Sequence, residues 1–115
     1  MGSETNPHVT GCTHDETGFP TNDARKSETF LRELYDKVTN HRDELCLYDV
    51  KNEGKGRVCI VAYGSCARSA RAAWRLAERE GLPVEVLHLY TLFPLPVEII
   101  QQVARRVEFM IIPEL

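Results

Sequence analysis

Val58-Cys59-Ile60-Val61-Ala62-Tyr63-Gly64-Ser65 is the stretch that decides the fold. Its first five residues are apolar without interruption, whereas a strand with one wet face would alternate apolar and polar side chains. They run directly into Tyr63-Gly64-Ser65, after which alanines recur three or four residues apart. A strand covered on both faces, a tight turn and a helix predict a parallel strand over residues 57–62 at the centre of a sheet.

Downstream, Ala67, Ala70, Ala73, Trp74 and Ala77 form the apolar stripe of that helix. Arg68, Arg71, Arg75, Glu78 and Arg79 fill its other face, and Gly81 offers a stop. Small inner residues allow a helix to approach a sheet closely. Val84, Val86, Leu87, Leu89 and Tyr90 predict a second strand over 84–90. Phe93-Pro94-Leu95-Pro96 interrupts it, Val97, Ile100, Val103 and Ala104 give a second amphipathic helix, and 107–112 reads as a third strand.

Upstream, residues 51–56 are too polar and glycine-rich for anything but a turn, and 45–50 reads as a short strand. Phe30, Leu31, Leu34 and Val38 recur at helical spacing, with Ser27 as a candidate N-cap, which predicts a helix from about Lys26 to Glu44. Residues 1–24 show no apolar periodicity and read as a loop or tail. Strand, helix, strand, helix, strand with short connections predicts an α/β fold, a three-layer α/β/α arrangement on a mainly parallel sheet. A parallel sheet of this kind is expected to continue into another helix after Ile112, so the domain is expected to be incomplete at its C-terminus.

Length and composition narrow the classes. A chain of 115 residues supports one core, and a net charge of −3 supplies no basic field for nucleic acid or an anionic membrane. No apolar run approaches the roughly 18 residues of a membrane helix and no signal-peptide pattern opens the chain, so a cytoplasmic protein is expected. The four cysteines, Cys12, Cys46, Cys59 and Cys66, make no CxxC and are expected to be reduced thiols.

Chemistry is sparse. Tyr63-Gly64-Ser65 stands at the carboxyl end of the expected central strand, where open α/β sheets bind ligands, but a lone glycine is neither a GxGxxG nor a Walker loop. Thr91, Leu92, Phe93 and Pro94 follow the neighbouring parallel strand and are expected on the same edge. Gly11-Cys12-Thr13-His14-Asp15-Glu16 crowds a thiol, an imidazole and two carboxylates together, yet it lacks the ligands for a zinc site and reads as turn chemistry. His88 lies within the second strand, either facing the ligand side or hydrogen-bonded in the core, and His41 is expected exposed. Ser65, Cys66 and His88 make no triad spacing, and no GxSxG elbow is present. Arg68, Arg71, Arg75 and Arg79 form a helix stripe that suits either solvent or an acidic partner.

Four segments resemble a known family, in that family's order. Val9-Thr10-Gly11-Cys12-Thr13-His14-Asp15-Glu16-Thr17-Gly18-Phe19-Pro20 resembles the TGLTHDExGxP segment of the alpha subunits of 2-oxoacid:ferredoxin oxidoreductases. The segment 61–70 resembles their VAYGSTARSAR, 87–96 their LLRPITLWPFP, and Ile112-Pro113-Glu114-Leu115 their VPEMN. The resemblance spans nearly the whole chain and favours the 2-oxoglutarate branch.

The resemblance implies a domain like the C-terminal domain of transketolase, with 45–50 as an antiparallel edge strand. It implies a tail left from a preceding cofactor domain over 1–24, a linker helix over 25–44 and the transketolase-like domain over 45–115. It further implies an enzyme that oxidatively decarboxylates a 2-oxoacid to an acyl-coenzyme A with thiamine diphosphate, magnesium, iron-sulfur clusters and ferredoxin. The beta subunit would be the partner, and this fragment would serve subunit packing. The family's YPITP-type segment and the beta subunit's diphosphate and metal motif do not occur in this sequence, so no cofactor-binding or catalytic residue carries over. The resemblance directs attention to Thr13, His14, Asp15 and Glu16 as a motif loop, and to Tyr63, Gly64, Ser65, Thr91, Leu92, Phe93 and Pro94 as interface or ligand-facing candidates. A stand-alone flavodoxin-like nucleotide-binding or interaction module using Gly64-Ser65, or a small hydrolase or redox protein using Ser65 or Cys66, are the competing readings.

Overall fold

The computed structural model describes residue 11 and residues 13–114. Expectations for residues 1–10, Cys12 and Leu115 lie outside the described residues. The chain divides into two compact units, one ending at His41 and the other beginning at Arg42.

In the first unit a loop closes on itself through a bridge between His14 and Pro20, and helix α1 follows over Ala24–Thr39. The helix begins earlier than its apolar pattern predicts, because Asp23 caps it. The Asp23 carboxylate accepts from the backbone N–H of Arg25 at 2.9 Å and of Lys26 at 3.1 Å. Ser27, the expected cap, lies inside the helix and gives its hydroxyl to Thr13 Oγ1 at 3.2 Å.

The single helix expected to run to Glu44 is two. α1 stops at Thr39, and a separate turn, α2, spans Arg42–Leu45 in the second unit. Asn40 still donates four residues back to the Asp36 carbonyl, but the His41 N–H donates three back to the Val38 carbonyl, so the ladder tightens and ends there.

The second unit contains a four-stranded sheet in the order β1-β3-β2-β4, with β1 at Tyr48–Lys51, β2 at Val58–Tyr63, β3 at Val84–Leu89 and β4 at Phe109–Ile111. β2 pairs in parallel with both β3 and β4, and β1 pairs antiparallel with β3. The expected architecture is present, with strand ends shifted. Leu45 is taken by α2, so β1 starts at Tyr48 and not at 45. β3 ends at Leu89 because the Tyr90 N–H turns to the Leu47 carbonyl. β4 is confined to three residues because Val107 ends the preceding helix, its N–H still donating to the Val103 carbonyl.

Helix α3, Cys66–Arg79, joins β2 to β3, and α4, Val97–Arg106, joins β3 to β4. Alternation along β2 assigns them to opposite faces. Cys59 and Val61 cluster with Leu87, Leu89 and the α4 residues Ile99 and Val103. Ile60 and Ala62 face the other way, onto Ala67 and Ala70 of α3. Ala73, assigned by its spacing to the inner stripe, is exposed. Burial pushes the Cys59 thiol up to about 11, so it behaves as a packed apolar group.

A charge lies within this core. Glu85 is fully buried on the α4 face of β3, where Arg106 grips its carboxylate through Nη2 at 2.9 Å and Nε at 3.2 Å. The Gly56 N–H donates to the other carboxylate oxygen at 3.1 Å, tying the β1–β2 turn to β3.

Candidate functional site

The parallel register sets Tyr63 opposite Leu89, so the turns after β2 and β3 leave the same edge of the sheet. They then part. Gly64-Ser65 leads into α3 on one face, and Thr91–Pro96 leads into α4 on the other.

Gly64 is exposed with φ +52°, a left-handed conformation that explains the glycine without a ligand. Ser65 occupies the N-cap position of α3 and makes no side-chain capping bond. Tyr63 donates its hydroxyl to Glu114 Oε1 at 3.0 Å, and that carboxylate raises the phenol above its ordinary pKa.

The segment after β3 is held by residues that the sequence pattern had assigned to a strand. Thr91 donates its hydroxyl to the Leu45 carbonyl at 2.6 Å and accepts from the Leu47 N–H at 3.3 Å. The backbone N–H groups of Tyr90 and Thr91 both go to the Leu47 carbonyl. The Cys46 thiol donates to the carbonyl of Pro94, which is buried beyond a cis Phe93–Pro94 peptide. Arg42 donates to the Leu95 carbonyl at 2.8 Å and grips both oxygens of Glu98 at 2.7 Å. That pairing holds the Glu98 carboxyl below the usual carboxylate range.

Two laced segments thus present Leu47, Tyr48, Tyr90, Leu92, Phe93 and Leu95 to solvent, with Phe93 60% exposed. Sequence reasoning found Leu92 and Phe93 but missed Leu47 and Tyr48. Leu45-Cys46-Leu47-Tyr48 is an apolar run beside a polar turn, and it read as the start of a strand.

His88 makes a second polar grouping on the α3 face. Arg71 Nη2 lies 3.1 Å from His88 Nδ1 and 3.2 Å from the Tyr90 hydroxyl. A guanidinium only donates, so Nδ1 is the acceptor and the imidazole is neutral in this arrangement. The Tyr90 ring lies tilted against the imidazole, with 4.2 Å between centroids. Burial foremost, and then the Arg71 charge, lower the His88 pKa, while Asp49, its partner across β1 and β3, opposes them. Trp74 Nε1 is buried with no hydrogen-bond partner among the described residues.

The loop carrying Thr13, His14, Asp15 and Glu16 belongs to the first unit. Thr13 donates its hydroxyl to the Thr21 carbonyl at 3.0 Å. His14 Nδ1 lies 2.9 Å from the Asp15 carbonyl, and its ring rests 4.3 Å from that of Phe30. The Asp15 carboxylate accepts from both the N–H and the hydroxyl of Thr17, which lowers its pKa. Glu16 is exposed. The loop borders an open depression of about 940 Å³ shared with Phe19, Lys26 and Phe30. These contacts are those of a self-bonded turn. Among the described residues no cluster of three or more His, Cys, Asp or Glu is placed to hold a metal, and no helix is long and apolar enough to cross a membrane.

Comparison with known proteins agrees with the topology. Residues 48–114 match the family described as the transketolase C-terminal domain. The 2-oxoglutarate synthase subunit KorA of Archaeoglobus fulgidus is 33% identical over 108 residues, covering 94% of this chain and 30% of the relative. Its counterpart in Methanocaldococcus jannaschii is 28% identical over 115 residues, covering 100% of this chain and 31% of the relative. The solved 2-oxoglutarate:ferredoxin oxidoreductase from Magnetococcus marinus, with 2-oxoglutarate, coenzyme A and succinyl-CoA bound, superposes with a TM-score of 0.68 at 28% identity. That match covers 89% of this chain and 18% of the other. The chain therefore spans about 30% of the length of these curated relatives. With an antiparallel strand on one edge of an otherwise parallel sheet and a family match across that sheet, the chain belongs to the transketolase C-terminal domain family.

Proposed function

We propose that this chain is a packing domain of the alpha subunit of a cytoplasmic 2-oxoacid:ferredoxin oxidoreductase acting on 2-oxoglutarate. The full enzyme would convert the oxoacid, with coenzyme A, to an acyl-coenzyme A and pass electrons to ferredoxin. Thiamine diphosphate, magnesium and iron-sulfur clusters would supply that chemistry from residues outside this chain. The domain's contribution is assembly with the beta subunit and the rest of the alpha subunit.

One observation carries the reading: the laced segments 45–48 and 90–97 expose several large apolar side chains while their backbones are fixed by hydrogen bonds. A pre-ordered apolar surface loses little entropy on docking and is the kind of surface a subunit contact buries.

The test is reconstitution. The purified chain should show no ferredoxin reduction with 2-oxoglutarate, coenzyme A and thiamine diphosphate, and should co-purify with the beta subunit when both are expressed with the rest of an alpha subunit. Turnover by the chain alone, or its absence from the purified complex, would defeat the proposal.

A further inference from the structure

Helix α3 carries Arg68, Arg71, Arg75 and Arg79, all exposed. At about 100° per residue, Arg68, Arg75 and Arg79 fall within about 40° of one another, with Arg71 about 60° to one side. The row is about 16 Å long.

This row works against the helix that bears it. Arg71, Arg75 and Arg79 are separated by four residues and Arg68 and Arg71 by three, spacings at which like charges destabilise a helix by about 0.2–0.5 kcal/mol each. Arg68 stands in the first turn, at the positive end of the helix dipole, and that turn holds no acidic residue. Elsewhere, Arg32, Arg42, Arg57 and Arg106 each grip a carboxylate. Arg68, Arg75 and Arg79 have no ion-pair partner among the described residues. Arg71 is held at the margin by His88 and the Tyr90 hydroxyl, with Asp49 at 3.9 Å. In a chain whose net charge is −3, this concentration of unanswered positive charge is local.

The surroundings indicate what would answer it. Ala72 and Ser69 beside the row are small and exposed, and Glu78, the carboxylate that shares this face, makes no ion pair with the row among the described residues. Leu76, next to the row, is 60% exposed. A phosphate polymer has no use for an exposed leucine, whereas a protein surface with carboxylates around an apolar group complements both features. We infer that the outer face of α3 is a docking surface for an acidic protein partner, with Arg68, Arg75 and Arg79 meeting its carboxylates and Leu76 its apolar centre.

The probe is an oligoglutamate peptide of about 10 residues, long enough when extended to span the row, with and without a central leucine. Binding to the 115-residue chain is read from the fluorescence of Trp74, the single tryptophan, which lies on the same helix. The leucine-containing peptide should bind more tightly than plain oligoglutamate, and both should weaken about tenfold or more between about 50 and 500 mM NaCl. The combined variant Arg68→Gln, Arg75→Gln, Arg79→Gln should lose about tenfold or more in affinity, while lysine at the same positions should retain most of it. If the triple variant fails to fold, Arg75→Gln alone should still lose about threefold. Unchanged affinity in the folded glutamine variants would overturn the inference. So would tighter binding of inorganic polyphosphate or of phosphatidylglycerol vesicles than of the leucine-containing peptide.

Discussion

Arg106, in the last turn of α4, holds the fully buried carboxylate of Glu85 on β3 with two of its nitrogens. A buried charge that loses its partner is left unsolvated, and breaking such a pair costs about 3–5 kcal/mol. Arg106→Leu should therefore lower the stability of the second unit by about 3 kcal/mol, measured by urea unfolding. The double variant Arg106→Leu, Glu85→Leu should recover much of the loss, since apolar replacement of both partners leaves no stranded charge.

Gly56 and Gly64 differ in why they are glycines. A Cβ on Gly56 would come within 2.6 Å of Glu85 Cγ and 2.7 Å of the Glu85 backbone nitrogen, whereas one on Gly64 would meet nothing within 4 Å. Gly56→Ala should cost about 1–3 kcal/mol through overpacking and disturb the Glu85 pair. Gly64→Ala should cost about 1–2 kcal/mol through its left-handed backbone alone. Combining each with Arg106→Leu distinguishes them: the Gly64 effect should add, and the Gly56 effect should not.

His88 should make stability depend on pH. Its folded pKa lies below its unfolded value, because burial and Arg71 disfavour the imidazolium. The unfolded chain then binds the proton more readily. The stabilisation is fully present above the unfolded pKa of about 6.5 and is lost as pH falls through the folded pKa. His88→Gln should flatten this part of the stability profile, and imidazole NMR should show His88 titrating below the ordinary histidine value. A steeper loss of stability on acidification in the variant would contradict the assignment.

Phe93 lies on the exposed surface proposed to meet other subunits. Phe93→Ala should leave the thermal midpoint of the isolated chain nearly unchanged and weaken its association with the remaining subunits by about 1–3 kcal/mol. A melting curve beside a subunit pull-down measures both. A large drop in the midpoint would make Phe93 a core residue, and unchanged association would remove it from the interface.

The sheet was legible in the sequence because its central strand is apolar on both faces, and no other element explains Val58 to Ala62 so economically. The boundaries were less so. Asp23 and Ser27 are both competent caps by composition, and only the backbone geometry selects Asp23. The break after Thr39 lies in a stretch without proline or glycine, where hydrogen bonding and not residue type ends the helix. Glu85 was invisible as a core residue, since a lone glutamate in a strand reads as solvent-facing until Arg106 is seen opposite it. The candidate edge was anticipated from topology, but Leu45 to Tyr48 joined it through backbone hydrogen bonds that side-chain patterning does not encode.

The placement of β3 between β1 and β2 bears on how the chain reaches its fold. β1 and β2 run antiparallel and are joined by the turn 52–57, so as the ribosome releases them they are suited to pair directly as a hairpin. The native sheet keeps them apart and admits β3, which follows a whole helix later. Every native strand pairing thus spans a long loop and closes slowly, while the competing hairpin is local and fast. Productive folding must either delay that hairpin or open it for β3, and the buried Glu85 that arrives on β3 supplies the bond from the Gly56 turn that only the native order can make.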